Sequence, residues 1–249
     1  MHRRRFCVAN WKMNFNSSDT KSFLENWGKK DLNNKEVKTI FCPSFTELNT
    51  TAELLQNSDS ELGAQNVYYL SNGAYTGEIS CRMLKDLGCN WVIIGHSERR
   101  AIFGETDEMV CHKLNKLTSE NMYPIVCIGE TKDERENGKT EEVLSRQLLV
   151  AFENQKGKNI EHTVIAYEPV WAIGTGITAT IDMISEAHQC IRNIFNTNGF
   201  NGNEISILYG GSVTNENAAE LSNITDVDGF LVGGASLDVD KFYAIYNQL

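Results

Sequence analysis

The chain has 249 residues, of which 41% are hydrophobic and 22% charged, and a formal net charge of −10 that argues against nucleic acid and anionic membrane surfaces as partners. The length fits one large domain or two small ones; with three prolines and no Pro- or Ser-rich linker, we expect a single domain over residues 1–249. The cysteines are seven in number and none has Cys-x-x-Cys spacing, which is typical of reduced thiols in a cytoplasmic protein.

Short apolar runs alternate along the chain with charged segments of helical period, clearest at Asp107–Ser119, Glu141–Asn154 and Asp182–Asn196. Capping boxes that would begin helices are predicted at Ser44–Glu47 and Thr131–Glu134. Strand–helix units of this kind, with strands buried on both faces, predict a (β/α)8 barrel of the α/β class. An open doubly wound sheet is the alternative, but it usually has fewer strands and a Gly-rich first turn. The eight predicted strands are Phe6–Ala9, Val37–Cys42, Leu62–Ala64, Trp91–Ile94, Ile125–Ile128, Val164–Tyr167, Ile205–Tyr209 and Gly229–Val232.

The carboxyl ends of the strands are where a barrel of this class carries its active residues. The first strand leads to Asn10 and Lys12, whose ammonium group is placed to meet an anion at the barrel mouth. Taken alone, a surface lysine is the commoner explanation. His96 follows the fourth strand, and a lone histidine is more often structural than catalytic. The convergence of His96 with Lys12 and Glu168 at one mouth favours catalysis.

The segment Thr163–Tyr167 predicts a buried strand, and it ends in the carboxylate of Glu168. Burial at the rim of the core favours the protonated form of a carboxyl group and makes it a usable base. Pro169 then ends the strand, and an apolar loop with two glycines follows, as expected of a lid over the site. The predicted lid consists of Pro169, Val170, Trp171, Ala172, Ile173, Gly174, Thr175, Gly176, Ile177, Thr178 and Ala179.

The fragment Gly174-x-Gly-x-x-Ala179 also mimics a dinucleotide-binding fingerprint. That fingerprint needs its first glycine directly after a strand, and here the segment Glu168–Ile173 intervenes. We therefore do not expect a dinucleotide cofactor.

Glycine pairs follow the last two strands, at Tyr209-Gly-Gly-Ser212 and Gly233-Gly-Ala-Ser-Leu237. Such pairs let backbone N–H groups approach a ligand, and phosphate commonly binds there in barrels. A tight turn explains either pair alone but explains both less well. Cys127, at the end of the fifth strand, is predicted to be a packed core thiol.

Five blocks together resemble the triosephosphate isomerase family, in the order of that family and over essentially the whole chain. They are Asn10-x-Lys12, His96–Arg100, Glu168–Gly176, Tyr209–Ser212 and Gly229–Leu237. The resemblance implies the TIM-barrel fold. It also implies an isomerase of glycolysis and gluconeogenesis that interconverts dihydroxyacetone phosphate and D-glyceraldehyde 3-phosphate by proton transfer through an enediolate, with no metal and no cofactor.

The resemblance assigns a role to each of these side chains. Glu168 abstracts the proton, neutral His96 polarises the carbonyl, and Lys12 with Asn10 supplies charge and a hydrogen bond. Glu98 orients Lys12, and Cys127 and Tyr209 support the site. The substrate phosphate is expected on backbone N–H groups of Gly174, Ser212, Gly233 and Gly234.

A long polar loop, 72–80, follows the third strand, and loops of this length usually serve function or a partner. The resemblance implies a homodimer in which Tyr75, Thr76, Gly77 and Glu78 enter the partner subunit. An aromatic side chain at a loop tip suits an interface.

Two other classes of function stay open on the residues alone. A barrel that isomerises a larger phosphosugar would share the glycine pairs, but it fits the lid less well. A non-catalytic barrel acting as an interaction protein is disfavoured because Glu168, His96 and Lys12 are all present.

Overall fold

The computed structural model describes residues 3–157, 160, 162–173 and 179–249. Its parallel strands form one closed barrel in which each strand is hydrogen-bonded to the next along the chain and β8 returns to β1. This confirms the predicted (β/α)8 barrel. The strands are β1 (Arg5–Asn10), β2 (Val37–Cys42), β3 (Glu61–Ala64), β4 (Trp91–Ile94), β5 (Tyr123–Ile128), β6 (Val164–Tyr167), β7 (Ser206–Tyr209) and β8 (Gly229–Val232).

Helices lie between the strands and cover the outside of the barrel. None of those in the described part of the chain is long and apolar enough to cross a membrane. Short 3₁₀ turns occur at Phe45–Glu47, Glu153–Gln155, Val170–Ala172 and Gly234–Leu237. The helices are α1 (Ser17–Trp27), α2 (Leu48–Leu55), α3 (Cys81–Asp86), α4 (Ser97–Phe103), α5 (Asp107–Ser119), α6 (Lys132–Glu136), α7 (Thr140–Ala151), α8 (Ile181–Thr197), α9 (Ala218–Ser222) and α10 (Val239–Tyr246).

One of the two predicted capping boxes is present. Thr131 Oγ1 accepts from the Glu134 N–H at 3.3 Å, and Glu134 Oε2 accepts from the Thr131 N–H at 2.8 Å. The box predicted at Ser44–Glu47 is wrong. The Ser44 hydroxyl pairs with Thr46 Oγ1 at 3.0 Å, and the segment forms a 3₁₀ turn before α2 begins at Leu48.

On the strands other than β3, alternate residues pack into two separate hydrophobic clusters. On β1, Phe6 and Val8 belong to the cluster inside the barrel, whereas Cys7 and Ala9 pack against the helices. The barrel interior is therefore filled with side chains. A ligand site has to lie at one end of the barrel.

All seven cysteines are free, and six of them are buried. Burial raises the pKa of the Cys7 thiol and that of the Cys42 thiol, and it raises the pKa of Cys89 to about 12. These thiols therefore stay protonated and unreactive at neutral pH while the chain is folded.

A buried polar cluster connects α8 to the last two strands. Arg192 donates to Asp226 Oδ1 at 2.6 Å and to Asp228 Oδ2 at 2.7 Å, and Asp228 Oδ2 also accepts the Ile207 N–H at 2.8 Å. His188, one turn earlier on α8, is fully buried, with Nδ1 2.9 Å from the Asp226 carbonyl oxygen. Burial lowers the pKa of His188 from 6.5 to about 4.

We expect the stability of the fold to fall in acid because of His188. Between pH 6.5 and 4 the unfolded chain binds a proton at this histidine that the folded chain does not, so the free energy of unfolding falls as the pH falls. The full difference is about 3 kcal/mol. Urea unfolding at several pH values should show a shallower pH dependence for His188→Gln. The same substitution at the exposed His112 should leave the native slope; an unchanged slope in His188→Gln would refute the assignment.

Candidate active site

A cavity of about 410 Å³ opens at the carboxyl ends of the strands. Asn10 and Lys12 reach it from β1, His96 from β4 and Glu168 from β6, and Gly233 follows β8. The parallel register brings together residues that are far apart in the sequence. The structure thus places all three predicted catalytic side chains around one cavity.

Glu168 and His96 are in direct contact in this cavity. His96 Nε2 lies 2.9 Å from Glu168 Oε1, and the Ser97 N–H donates to Glu168 Oε2 at 3.0 Å. Glu168 is 2% exposed and His96 5%. The carboxylate is therefore held by a ring and a backbone group at the start of α4, away from bulk water.

The first turn of the helix that follows His96 determines which ring nitrogen carries the proton. His96 is the N-cap of α4, and its Nδ1 accepts the Glu98 N–H at 3.2 Å. A nitrogen that accepts a hydrogen bond carries no proton, so this contact favours the tautomer with the proton on Nε2. That proton faces the carboxylate of Glu168.

The mutual contact sets the pKa values of this pair. Burial is the largest single influence; it would raise the pKa of Glu168 and lower that of His96. The contact between the two groups opposes burial. The charge and hydrogen bond of His96, the Ser97 N–H and the charge of Lys12 leave the pKa of Glu168 lowered. The charge and hydrogen bond of Glu168 leave the pKa of His96 raised. Burial favours the protonated form of Glu168, as expected, but the contacts outweigh it in this resting arrangement. The carboxylate is ionised, as a base must be.

Lys12 is held in place by hydrogen bonds of its backbone and of its side chain. Its backbone has φ 53°, a left-handed conformation that is uncommon for a side chain of this size. The Lys12 N–H donates to Asn10 Oδ1 at 3.1 Å, and Gln65 Nε2 donates to the Lys12 carbonyl oxygen at 2.8 Å. The ammonium group donates to Glu98 Oε1 at 2.7 Å. A Cβ on Gly233 would lie 3.7 Å from Lys12 Nζ, so the amine faces the predicted phosphate segment.

The segments after β7 and β8 line the same end of the cavity. Ser212, Gly233 and Gly234, all predicted to bind the substrate, are part of its wall. Gly210 lies beside the Glu168 carboxylate, because a Cβ there would come within 2.9 Å of Glu168 Cγ. Gly174, the fourth predicted phosphate contact, lies outside the described residues.

The two predicted supporting residues lie close by. Cys127 is fully buried; burial, and next the charge of Glu168 and a hydrogen bond to it, raise the pKa of the thiol well above its usual range. Tyr209 is also fully buried, and burial raises its pKa to about 12. Both residues pack the site in neutral form and offer no reactive anion.

The predicted lid is described in part, as Pro169–Ile173 and Ala179; residues 174–178 lie outside the described residues. Its first segment forms a 3₁₀ turn at Val170–Ala172. Glu130, completely buried, accepts from Trp171 Nε1 at 3.1 Å and from the Tyr167 hydroxyl at 3.0 Å. The first segment of the predicted lid is therefore hydrogen-bonded to the segment that follows β5.

Sequence reasoning missed several residues of the site. Gln65 and Glu130 act through hydrogen bonds to distant segments, and nothing in their local sequence indicates this. Lys241, an exposed residue on α10, also lines the cavity, near Glu216. Only proximity in the fold identifies it.

A carboxylate, an imidazole and an amine that meet at the carboxyl ends of the strands define the chain as a (β/α)8-barrel enzyme. A model of the family described as triosephosphate isomerase matches residues 5–249. The triosephosphate isomerase of Alkaliphilus oremlandii is 45% identical, over 98% of this chain and 99% of its own length. Those of Dictyoglomus thermophilum and Francisella philomiragia are 44% and 42% identical, over 98% of this chain and 98% and 97% of their own lengths. The chain belongs to the triosephosphate isomerase family.

We expect Lys12→Met to weaken the binding of inorganic phosphate by about 10- to 100-fold, since it removes a charge-assisted hydrogen bond. Lys35→Met is the matched control, because Lys35 is exposed and precedes β2, at the opposite end of the barrel. Isothermal titration measures both affinities. Equal affinities for the two variants would show that Lys12 does not serve the anion.

Proposed function

We propose that this isomerase interconverts dihydroxyacetone phosphate and D-glyceraldehyde 3-phosphate through an enediolate, as a step of glycolysis and gluconeogenesis. The observation that carries the proposal is the ionised Glu168 carboxylate beside His96 Nε2, in a cavity whose other end is lined by Lys12 and Gly233. A base, a donor and an anion-binding end within one small cavity suit a short phosphorylated carbonyl compound.

Glu168 removes a proton from the hydroxyl-bearing carbon next to the carbonyl group and returns it to the former carbonyl carbon. His96 moves the hydroxyl proton from one oxygen to the other, so that the hydroxyl and carbonyl groups exchange places. The negative charge that develops on the carbonyl oxygen is stabilised by the Nε2–H of His96 and the ammonium of Lys12. Preorganised donors of this kind are worth roughly 3–4 kcal/mol each in a site that excludes water. A positioned base adds a factor of about 10²–10⁴.

His96 acts as a neutral donor once substrate is bound. In the resting pair, the carboxylate of Glu168 raises the pKa of His96 against the effect of burial. When Glu168 moves toward the substrate carbon, this influence weakens, while burial and the charge of Lys12 continue to lower the pKa. The ring then stays neutral and donates through Nε2.

The substrate phosphate is held by backbone N–H groups of Ser212, Gly233 and Gly234, and by Gly174 when the lid 169–179 closes. Closure keeps water from the enediolate, which would otherwise lose its phosphate. The contacts of Glu130 with Trp171 support a fixed hinge at the start of the lid. Glu98 orients Lys12 through their ion pair.

We also propose that residues 1–249 form one domain that works as a homodimer in the cytoplasm. The loop-tip residues Thr76, Gly77 and Glu78 are exposed, and the Tyr75 ring packs against Tyr68 at a tilt of 41°, with ring centroids 4.7 Å apart. Large apolar side chains are also exposed in the segments that follow β1, β3 and β4, and a second copy would cover them. They are Met13 at 95%, Tyr75 at 41%, Met83 at 54%, Ile102 at 71% and Phe103 at 66% exposure. The free cysteines support a reducing compartment.

We expect Glu168→Gln to lower kcat by about 10²-fold or more, with a much smaller change in KM, because the variant keeps the shape of the side chain but cannot accept the proton. A coupled assay with glyceraldehyde 3-phosphate measures both constants. A chelator should leave native turnover unchanged. Equal losses in kcat and KM for the variant, or inactivation by chelator, would count against this mechanism.

We expect Thr76→Arg to give monomers that have lost most of their activity, because the substitution places an unpaired charge in a buried interface. Asn201→Arg, on an exposed loop before β7, is the matched control and should remain dimeric and active. Sedimentation velocity gives the oligomeric state. A dimeric and fully active Thr76→Arg variant would remove this loop from the interface.

A further inference from the structure

Gln147, on α7, binds both backbone polar groups of one residue at the end of β5. Its Oε1 accepts the Gly129 N–H at 2.9 Å, and its Nε2 donates to the Gly129 carbonyl oxygen at 3.2 Å. The side chain belongs to a residue that is only 5% exposed. Losing such a buried pair of hydrogen bonds leaves the backbone groups without partners, which is costly.

Gly129 lies directly against the backbone of Glu168. A Cβ on Gly129 would overlap the Glu168 carbonyl oxygen. On either side of this contact the Glu168 N–H donates to the Ile128 carbonyl at 2.8 Å, and the Val170 N–H donates to the Glu130 carbonyl at 3.1 Å. The segment 128–130 is therefore the surface on which the Glu168 backbone rests.

The regular sheet ends within this segment, which keeps the two backbone hydrogen bonds to Glu168 and Val170. Strand β5 ends at Ile128, where its register with β6 also ends, opposite Tyr167. On the helix side, a cavity of about 480 Å³ borders Gly129, Gln147, Glu168 and Val170, so close packing does not support the backbone there. Between the two backbone hydrogen bonds to Glu168 and Val170, the side chain of Gln147 binds the N–H and the carbonyl group of Gly129.

We propose that Gln147 is a positioning residue for the catalytic base: by fixing Gly129 it fixes the backbone of Glu168, and hence the distance between the carboxylate and the substrate carbon. The inference rests on the proposed role of Glu168. A base displaced by about 1 Å can cost 10²-fold in rate, whereas binding of the phosphate depends on other segments of the chain.

The first test is Gln147→Met, which keeps the length of the side chain and loses both hydrogen bonds. We expect kcat to fall by about tenfold or more, with KM and the affinity for inorganic phosphate within about twofold of native. Gln147→Glu keeps the length of the side chain and the hydrogen-bond acceptor but loses the donor. Its kcat should lie between those of the native protein and Gln147→Met. It also provides a second variant if Gln147→Met folds poorly.

Gln155→Met is the matched control. Gln155 is fully buried and donates to the Asn115 side chain, in the turn after α7 and away from the cavity. We expect this variant to lower Tm without changing kcat per folded molecule. If Gln147→Met and Gln147→Glu likewise change Tm alone, Gln147 has only a structural role and the proposal is overturned.

A double-mutant cycle with Glu168→Asp separates this proposal from the function on which it rests. The shorter carboxylate is already withdrawn from the substrate, so adding Gln147→Met should cost much less than it does in the native chain. If the decrease in kcat of the double variant equals the product of the decreases in the two single variants, Gln147 acts independently of Glu168, and the proposal is overturned. An unchanged kcat in Glu168→Asp alone would instead contradict the role of Glu168.

Discussion

The pairing of β8 with β1 closes the barrel, and the site exists only because the barrel is closed. Gly229 pairs with Phe6 and has φ 137°; a Cβ there would overlap the Phe6 carbonyl oxygen, so the two strands meet without an intervening side chain. The Phe6 N–H donates to the Asp228 carbonyl at 3.0 Å at the same point. Closure makes Asn10, at the end of β1, a neighbour of Gly233, at the end of β8. A substrate can then contact the first and the last strand at once.

The electrostatics of the site run against those of the whole chain. The formal charge of −10 repels a phosphorylated substrate over most of the surface. Within the cavity, Lys12 is paired with Glu98 and Glu168 with His96, so the charges nearest the reacting atoms are balanced by contact. The backbone N–H groups that we propose as phosphate contacts would supply positive potential without adding another side chain whose charge must be compensated. On this proposal, selectivity for an anion arises from the orientation of these groups more than from net charge.

The sequence predicted the barrel and the three converging side chains because both depend on local patterns. Buried strands are continuous apolar runs, and polar residues that follow them mark their carboxyl ends. The failures have physical causes. At Ser44 the hydroxyl bonds to Thr46 instead of capping a helix, and the pKa of Glu168 is the balance of large opposing effects that only coordinates reveal. Glu130 and Gln147 act on segments up to 41 and 18 residues away, and no local pattern carries such contacts.

The buried thiols give the folded chain a built-in reporter of its own opening. Cys7, Cys42 and Cys127 are completely inaccessible and lie on different strands around the barrel. Alkylation requires the thiolate, so each of these positions becomes reactive only when its strand is exposed to solvent. Mass spectrometry of the alkylated peptides would then show whether the strands of the barrel separate one by one or all together.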